Sequence, residues 1–316
     1  MSYPIKFRQY HVCRTGCVMF GNKRKRECSF CKTSRFTIRK RRTNGEHLNE
    51  QPCATMGQLS LSDQLALLVH HQVTREPLLY RSERNSTPGV YSDIFDGEAY
   101  KQLHKDGHFS GSLDVALALY TDGFTCFQKD QLTIVHLVIL NLPPDIRYEN
   151  KNMLQLAIAP GPKAPKSIFS FLRPLLRELK VLESAGICVK ADNKETYRVR
   201  ASLLLATGDL PATAKLIRHR SHTFTYGCRI CEVSGSAVMN NGRKSGMYFT
   251  PGKQAAKIRP SNDYKFGNKE KGISGSPFAS LKTFHGSTFW GLDVMHLIGH
   301  GTVIFRSSFP SSTNII

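Results

Sequence analysis

Apolar and polar positions change period several times along the chain, and each change marks an element. Residues 59–73 (LSLSDQLALLVHHQV) set a Ser60 or Ser62 cap and the acidic Asp63 ahead of a dense apolar run, which predicts a helix. From about residue 110 the runs become strand-like. LDVALALYTDG (113–123) is apolar up to an Asp-Gly turn, and LTIVHLVILNLPP (132–144) is rich in β-branched residues and stopped by paired prolines. Residues 152–160 and 167–184 predict helices, the second amphipathic around a kink or restart at Pro174. GICVKA (186–191) and YRVRASLLLATGD (197–209) return to the strand pattern, the latter apolar until it closes on Asp209. Strands, a helix and a further strand in this order predict a mixed α/β sheet. No repeat unit emerges from the pattern, and residues 233–283 are rich in Gly, Ser, Asn and Lys with little periodicity, as expected of an insertion or loop.

The first fifty residues cannot build a core alone, being basic and poor in aliphatic side chains. They carry KRKR at Lys23, Arg24, Lys25 and Arg26 and RKRR at Arg39, Lys40, Arg41 and Arg42. The expected organisation is a basic zinc-binding module at 1–50 and a helical linker region at 51–109, which includes the linker RSERNSTPG (81–89). A core at 110–232, the insertion at 233–283 and a zinc-ligand helix at 284–316 complete it.

Charge narrows the function. Lys and Arg number 44 against 24 Asp and Glu, a formal net charge of +20, which asks for a polyanionic partner such as DNA. No apolar run approaches the ~20 residues that span a bilayer, and no apolar leader follows the basic start, so neither a membrane partner nor secretion is expected. Cysteines in such a chain serve as thiolates rather than disulfides. Four of the nine are spaced Cys13-x3-Cys17 and Cys28-x2-Cys31, and two such pairs around a ten-residue basic loop suit one tetrahedral Zn2+. The loop would turn Lys23 to Arg26 toward phosphates in sequence-tolerant contacts, and both basic runs also read as nuclear import signals.

A second pair, Cys228-x2-Cys231, needs two more ligands. His296 and His300 stand one helical turn apart and offer them; His219, His222 and His285 compete. Asp122 and Asp209 each end an apolar strand. Paired strand-end carboxylates can share divalent metals for phosphoryl transfer, although an Asp at such a junction commonly serves only its own turn.

These segments, taken in order, resemble the transposases of CACTA-type (En/Spm-like, tnp2-like) DNA transposons. The resemblance rests on the cysteine cluster at 13–31, SDIFDG (92–97), LYTDGF (119–124), NLPPDIRY (141–148), GPKAPKS (161–167), GDLPATAKL (208–216), CRIC (228–231) and LDVMH (292–296). It implies an RNase H-like catalytic core of the DDE class, as in Transib-type elements and the related V(D)J recombinase. There, two Asp and a late Glu bind two Mg2+ or Mn2+, and Asp122 and Asp209 match the first two positions. It also implies a structural zinc site of Cys228, Cys231, His296 and His300. Transposases of this kind act on transposon ends and target DNA as homo-oligomers, in the nucleus. One departure stands out: after His300 the run GTVIFRSSFPSSTNII holds no Asp or Glu, and Asp293 and Glu232 are the nearest substitutes. The expectation is therefore a C-terminally truncated transposase, with a zinc-dependent DNA-binding protein lacking catalysis, or a basic RNA or chromatin adaptor, as the alternatives.

Overall fold

The computed structural model describes residues 4–39, 49–125, 131–249 and 256–291. The chain opens with β1 (Phe7–His11), crosses the cysteine loop, and continues through the antiparallel pair β2 (Phe36–Arg39) and β3 (Asn49–Pro52) into β4 (Thr55–Leu59). Helical segments follow as α1 (Leu61–His70), α2 (Gln72–Arg75), α3 (Tyr80–Glu83) and α4 (Glu98–Lys105). The central part runs β5 (Val115–Thr125), β6 (Gln131–Ile139), α5 (Pro144–Arg147), β7 (Leu154–Ala159) and α6 (Ile168–Ser184). Then come β8 (Ile187–Lys190), β9 (Thr196–Val199), β10 (Ala201–Thr207) and α7 (Leu210–Ile217), followed by β11 (Ser236–Asn240), β12 (Arg243–Tyr248) and α8 (Ser261–Phe266).

Six of the strands form a mixed sheet in the order β1-β4-β7-β6-β5-β10. Only β5 and β10 run parallel; the other neighbours are antiparallel. The sheet has two covered faces, and β5 shows why. Val115, Leu117 and Leu119 point to the side occupied by α1 and α6, while Ala116 and Ala118 meet Phe95, Tyr100, Leu103 and Phe109 around α4. All five residues from Val115 to Leu119 are fully buried, so the run reads as continuous hydrophobicity rather than alternation.

Ser60 caps α1, its hydroxyl accepting from Asp63 N at 3.2 Å, as the sequence led us to expect. The Glu178 carboxylate of α6 accepts from Ser60 Oγ and Ser62 N and so fastens the start of α1 to α6. Pro174 sits inside an unbroken α6. Three expected elements differ. Residues 152–160 form strand β7 rather than a helix, because cross-strand pairing with β6 and β4 outweighs the helix preference of Leu, Gln and Ala. Asp122 and Gly123 do not turn: β5 continues to Thr125, paired with β6 throughout. The run 197–209 breaks at Arg200 into β9 and β10, which pair with different partners. Residues from 233–283 are also not all peripheral, since Tyr264, Ile273 and Phe278 lie in the main core with the fully buried Trp290.

Two of the motifs quoted above build the frame under the sheet. Asp93 of SDIFDG pairs with Arg147 of NLPPDIRY at 3.0 Å, both side chains buried. Asp96 takes both guanidinium nitrogens of Arg84, at 2.8 and 2.9 Å, and Arg84 first and burial second act oppositely on its carboxyl, with the net effect of holding it far below the usual range. Asn141 joins Leu78 O, Asp114 O and Ala116 N, fixing the start of β5.

Candidate active site and cysteine centre

The parallel register of β5 and β10 aligns Tyr120 with Thr207. Two residues further along each chain stand Asp122 and Asp209, and both line one pocket of about 180 Å³. Asp122 is exposed on β5, its Oδ1 accepting from Gly123 N at 2.7 Å. Asp209 is half-buried and caps α7, its Oδ1 accepting from Ala212 N at 2.6 Å, with Pro211 at the helix start. Its role as a cap is real, yet one oxygen suffices for it. Among the described residues, Oδ2 of neither aspartate has a hydrogen-bond partner, so each can turn an oxygen into the pocket. Gly208 lets the strands approach here: a Cβ on it would stand 2.6 Å from Thr121 O. Lys215, Gln131 and Thr133 line the same pocket and were not singled out in the sequence, although Lys215 lies within GDLPATAKL, six residues past Asp209.

The cysteine quartet is assembled. Sγ atoms of Cys13, Cys17, Cys28 and Cys31 lie within 4.8 Å of one another, with the first three buried and Cys31 exposed. Tetrahedral Zn–S bonds of about 2.3 Å require sulfurs roughly 3.8 Å apart, and Cys13 and Cys31 stand at 3.4 Å. The donor set therefore fits a metal ion such as zinc. Hydrogen bonds from Thr15 and Thr33 pull the Cys31 thiol down to about 5, while burial pushes Cys28 up to about 11. The loop is braced from the GPKAPKS segment: Lys166 N and Ser167 N both donate to Cys17 O, at 3.0 and 3.1 Å. Gly16, at φ +74°, sits so close that a Cβ would meet Lys163 O and Pro160 O at 2.7 Å. Ala164 and Pro165 of that same segment line the aspartate pocket.

Other candidates are less concentrated. Cys228 and Cys231 are partly buried, and Cys228 shares a small cleft with His219 and His222. His219 Nε2 lies 2.9 Å from Tyr226 O, and burial lowers its pKa to about 4. Among the described residues, no group of three or more ligand atoms other than the quartet comes within 4.8 Å. His296 and His300 lie outside the described residues, as does Asp293. Glu232 pairs with Lys271 at 3.7 Å and does not line the aspartate pocket. Lys23, Arg24, Lys25 and Arg26 are exposed in the turn between the cysteine pairs, where Arg26 pairs with Glu50 and stacks on Phe36. Arg39 ends β2, and Lys40, Arg41 and Arg42 lie outside the described residues. No helix among the described residues is long and apolar enough to cross a membrane.

Asp122 within β5 and Asp209 just past β10 thus line one pocket of a mixed α/β fold. Residues 89–271 match the family model of transposase family tnp2, and the chain belongs to that family. The match spans more than half of the chain and includes Asp122, Asp209 and the Cys228/Cys231 pair; the quartet precedes it. No curated protein matches the chain in sequence.

Proposed function

We propose that this protein is a CACTA-type DNA transposase that cleaves phosphodiester bonds at transposon ends and joins them to a target. The observation that carries the reading is the placement of Asp122 and Asp209 at one level of two adjacent parallel strands, lining one pocket, in a tnp2-family chain. The strand order β7-β6-β5-β10, with β10 parallel to β5 and α6 between β7 and β10 in sequence, supports an RNase H-like DDE core. In that frame β5 is the first strand and β10 the fourth.

Two carboxylates offer hard oxygen donors suited to Mg2+ or Mn2+. When bound, such ions activate the attacking water or 3′-hydroxyl and stabilise the leaving oxygen. The chain's own residues prepare the site. Gly123 N and Ala212 N each orient one carboxylate by holding one of its oxygens. Lys215 supplies a positive charge beside the phosphate. Zn2+ bound by Cys13, Cys17, Cys28 and Cys31 would fasten the N-terminal loop, and Cys228 and Cys231 with His296 and His300 would hold a second zinc ion. DNA is the partner, homo-oligomers the working form and the nucleus the place of action.

A second reading, a zinc-dependent and sequence-tolerant DNA-binding protein without catalysis, is favoured by one observation. Among the described residues, the pocket holds two carboxylates and no third. Manganese-dependent nicking of duplex DNA by the purified chain, with Asp122→Ala/Asp209→Ala as control, separates the two. Nicking that disappears in the control supports the transposase. Zinc-loaded protein that binds DNA and never nicks it, or nicking that survives the control, overturns it.

A further inference from the structure

A basic groove runs from the cysteine loop along α6, and of the described residues of the two basic sequence runs Lys23 lines it. Its walls are β1, the turn after Phe20 and one face of α6, enclosing about 880 Å³. Lys6, Arg8, Lys23, Arg173 and Arg177 line it, and the adjoining cleft adds Lys180. Arg173, Arg177 and Lys180 follow i, i+4, i+7 spacing and so share one helix face.

These six cations make no direct ion pair with a described residue, although Lys180 acts at longer range on the buried Glu183 carboxyl. Among the described residues, no carboxylate oxygen stands within 4.0 Å of a side-chain nitrogen of any of them. The two acids lining the groove are engaged elsewhere. Glu178 accepts from Ser60 Oγ and Ser62 N, and Asp63 Oδ2 accepts from Lys6 N at 2.9 Å. Arg35, also in the wall, is buried and donates to His11 Nδ1 and to main-chain carbonyls. A concave surface on which cations outnumber carboxylates focuses a positive potential and concentrates anions.

The groove also leads somewhere. Its adjoining clefts reach Ser167 at the start of α6, and the next residue, Ile168, lines the pocket of Asp122 and Asp209. At about 1.5 Å per residue, Arg173 to Lys180 covers about 10 Å, the axial length of about three phosphates of one B-DNA strand. We propose that this groove holds the phosphate backbone of duplex DNA and directs it to the aspartate pocket, with Arg173, Arg177 and Lys180 as the tracking ridge. The proposal shares the DNA ligand with the function above but not the cleavage step.

Binding of the full chain to a duplex of arbitrary sequence, about 30 base pairs or three helical turns long, is measured against salt without Mg2+ or Mn2+. Cleavage therefore does not enter the result, and absence of nicking leaves the groove untouched. Arg177→Ala/Lys180→Ala is the main variant, because both side chains are exposed and the change leaves the fold intact. Each lost phosphate contact flattens log K against log[salt] by about 0.9, so the slope should become shallower by about 2 and binding weaken about 10- to 100-fold at moderate salt. Arg177→Lys, which keeps the charge, should retain most of the slope. An unchanged slope in the double variant, with binding lost only when Arg24 and Arg26 are replaced, overturns the proposal. So does a double variant that keeps its DNA affinity but loses affinity for an acidic peptide or for vesicles of anionic lipid.

Discussion

The Asp93–Arg147 pair gives the sharpest test of what the family motifs do. The two ions stand 3.0 Å apart with side-chain exposures of 1% and 4%, and they tie residue 93 to residue 147 across the sheet's α4 side. At an effective dielectric near 20, their attraction is about 5 kcal/mol before desolvation. Arg147→Met removes the cation and leaves the carboxylate buried with Tyr80 OH and Phe95 N as its remaining donors. Breaking a buried pair in this way costs about 3–5 kcal/mol, including the bond from Arg147 Nε to Leu142 O. Asp93→Asn alone should cost a similar amount, because it strands the guanidinium. The double variant removes both charges and should cost at least 2 kcal/mol less than the sum of the singles. Urea unfolding reports all three, read from the single tryptophan, buried Trp290, and checked by far-ultraviolet circular dichroism for coincident transitions. Single-variant costs below about 1 kcal/mol, or additivity within about 0.5 kcal/mol, would falsify the claim that SDIFDG and NLPPDIRY are joined through this pair.

Two further outcomes are expected. Gly208→Ala drives a methyl toward Thr121 O and Ala212 Cβ, spreading β5 from the start of α7; it should cost about 1–3 kcal/mol and lower manganese-dependent nicking at least about tenfold, with DNA affinity retained, and unchanged nicking would show that the spacing of the aspartates is not set there. Glu183 is buried beside Lys282 N, and burial raises its carboxyl pKa. The folded protein then holds its proton to higher pH than the unfolded chain does, so this group's stabilisation is present below the ordinary glutamate value and is lost as pH rises through the raised one. Glu183→Gln should therefore raise the melting temperature at neutral pH and flatten its dependence between those two values, and a lowered neutral-pH melting temperature contradicts this.

Much of the architecture was legible because it is written in local chemistry. Ser60 before an apolar run marked α1, paired prolines marked the end of β6, and the spacing of four cysteines anticipated a cluster the fold does assemble. Asp122 and Asp209 were visible as acids closing apolar runs, although Asp122 lies within β5; that they occupy one level is a property of the β5–β10 register, which no local pattern carries. β7 was missed because its residues favour a helix in isolation; the buried Leu154 and Leu156 with exposed Gln155 between them reveal period 2 only once a sheet is there to bury them. The groove cations on α6 were hidden in what reads as the solvated face of an amphipathic helix. The ion pairs of Asp93 and Asp96 had no signature, since a buried charge looks like any other until its partner, here 54 or 12 residues away, is placed.

The GPKAPKS segment has the cysteine loop behind it and the carboxylate pocket in front. Loss of whatever ion the thiolates hold would slacken the backing of Ala164 and Pro165, and the wall of a pocket built from oxygen donors would shift although none of its own ligands had been touched. Under the proposed function, a chelator would thus act on two places through one short loop. Restoring zinc first and manganese second, and noting at which addition the proposed nicking returns, is the order of operations that would separate a collapsed scaffold from an empty carboxylate pocket.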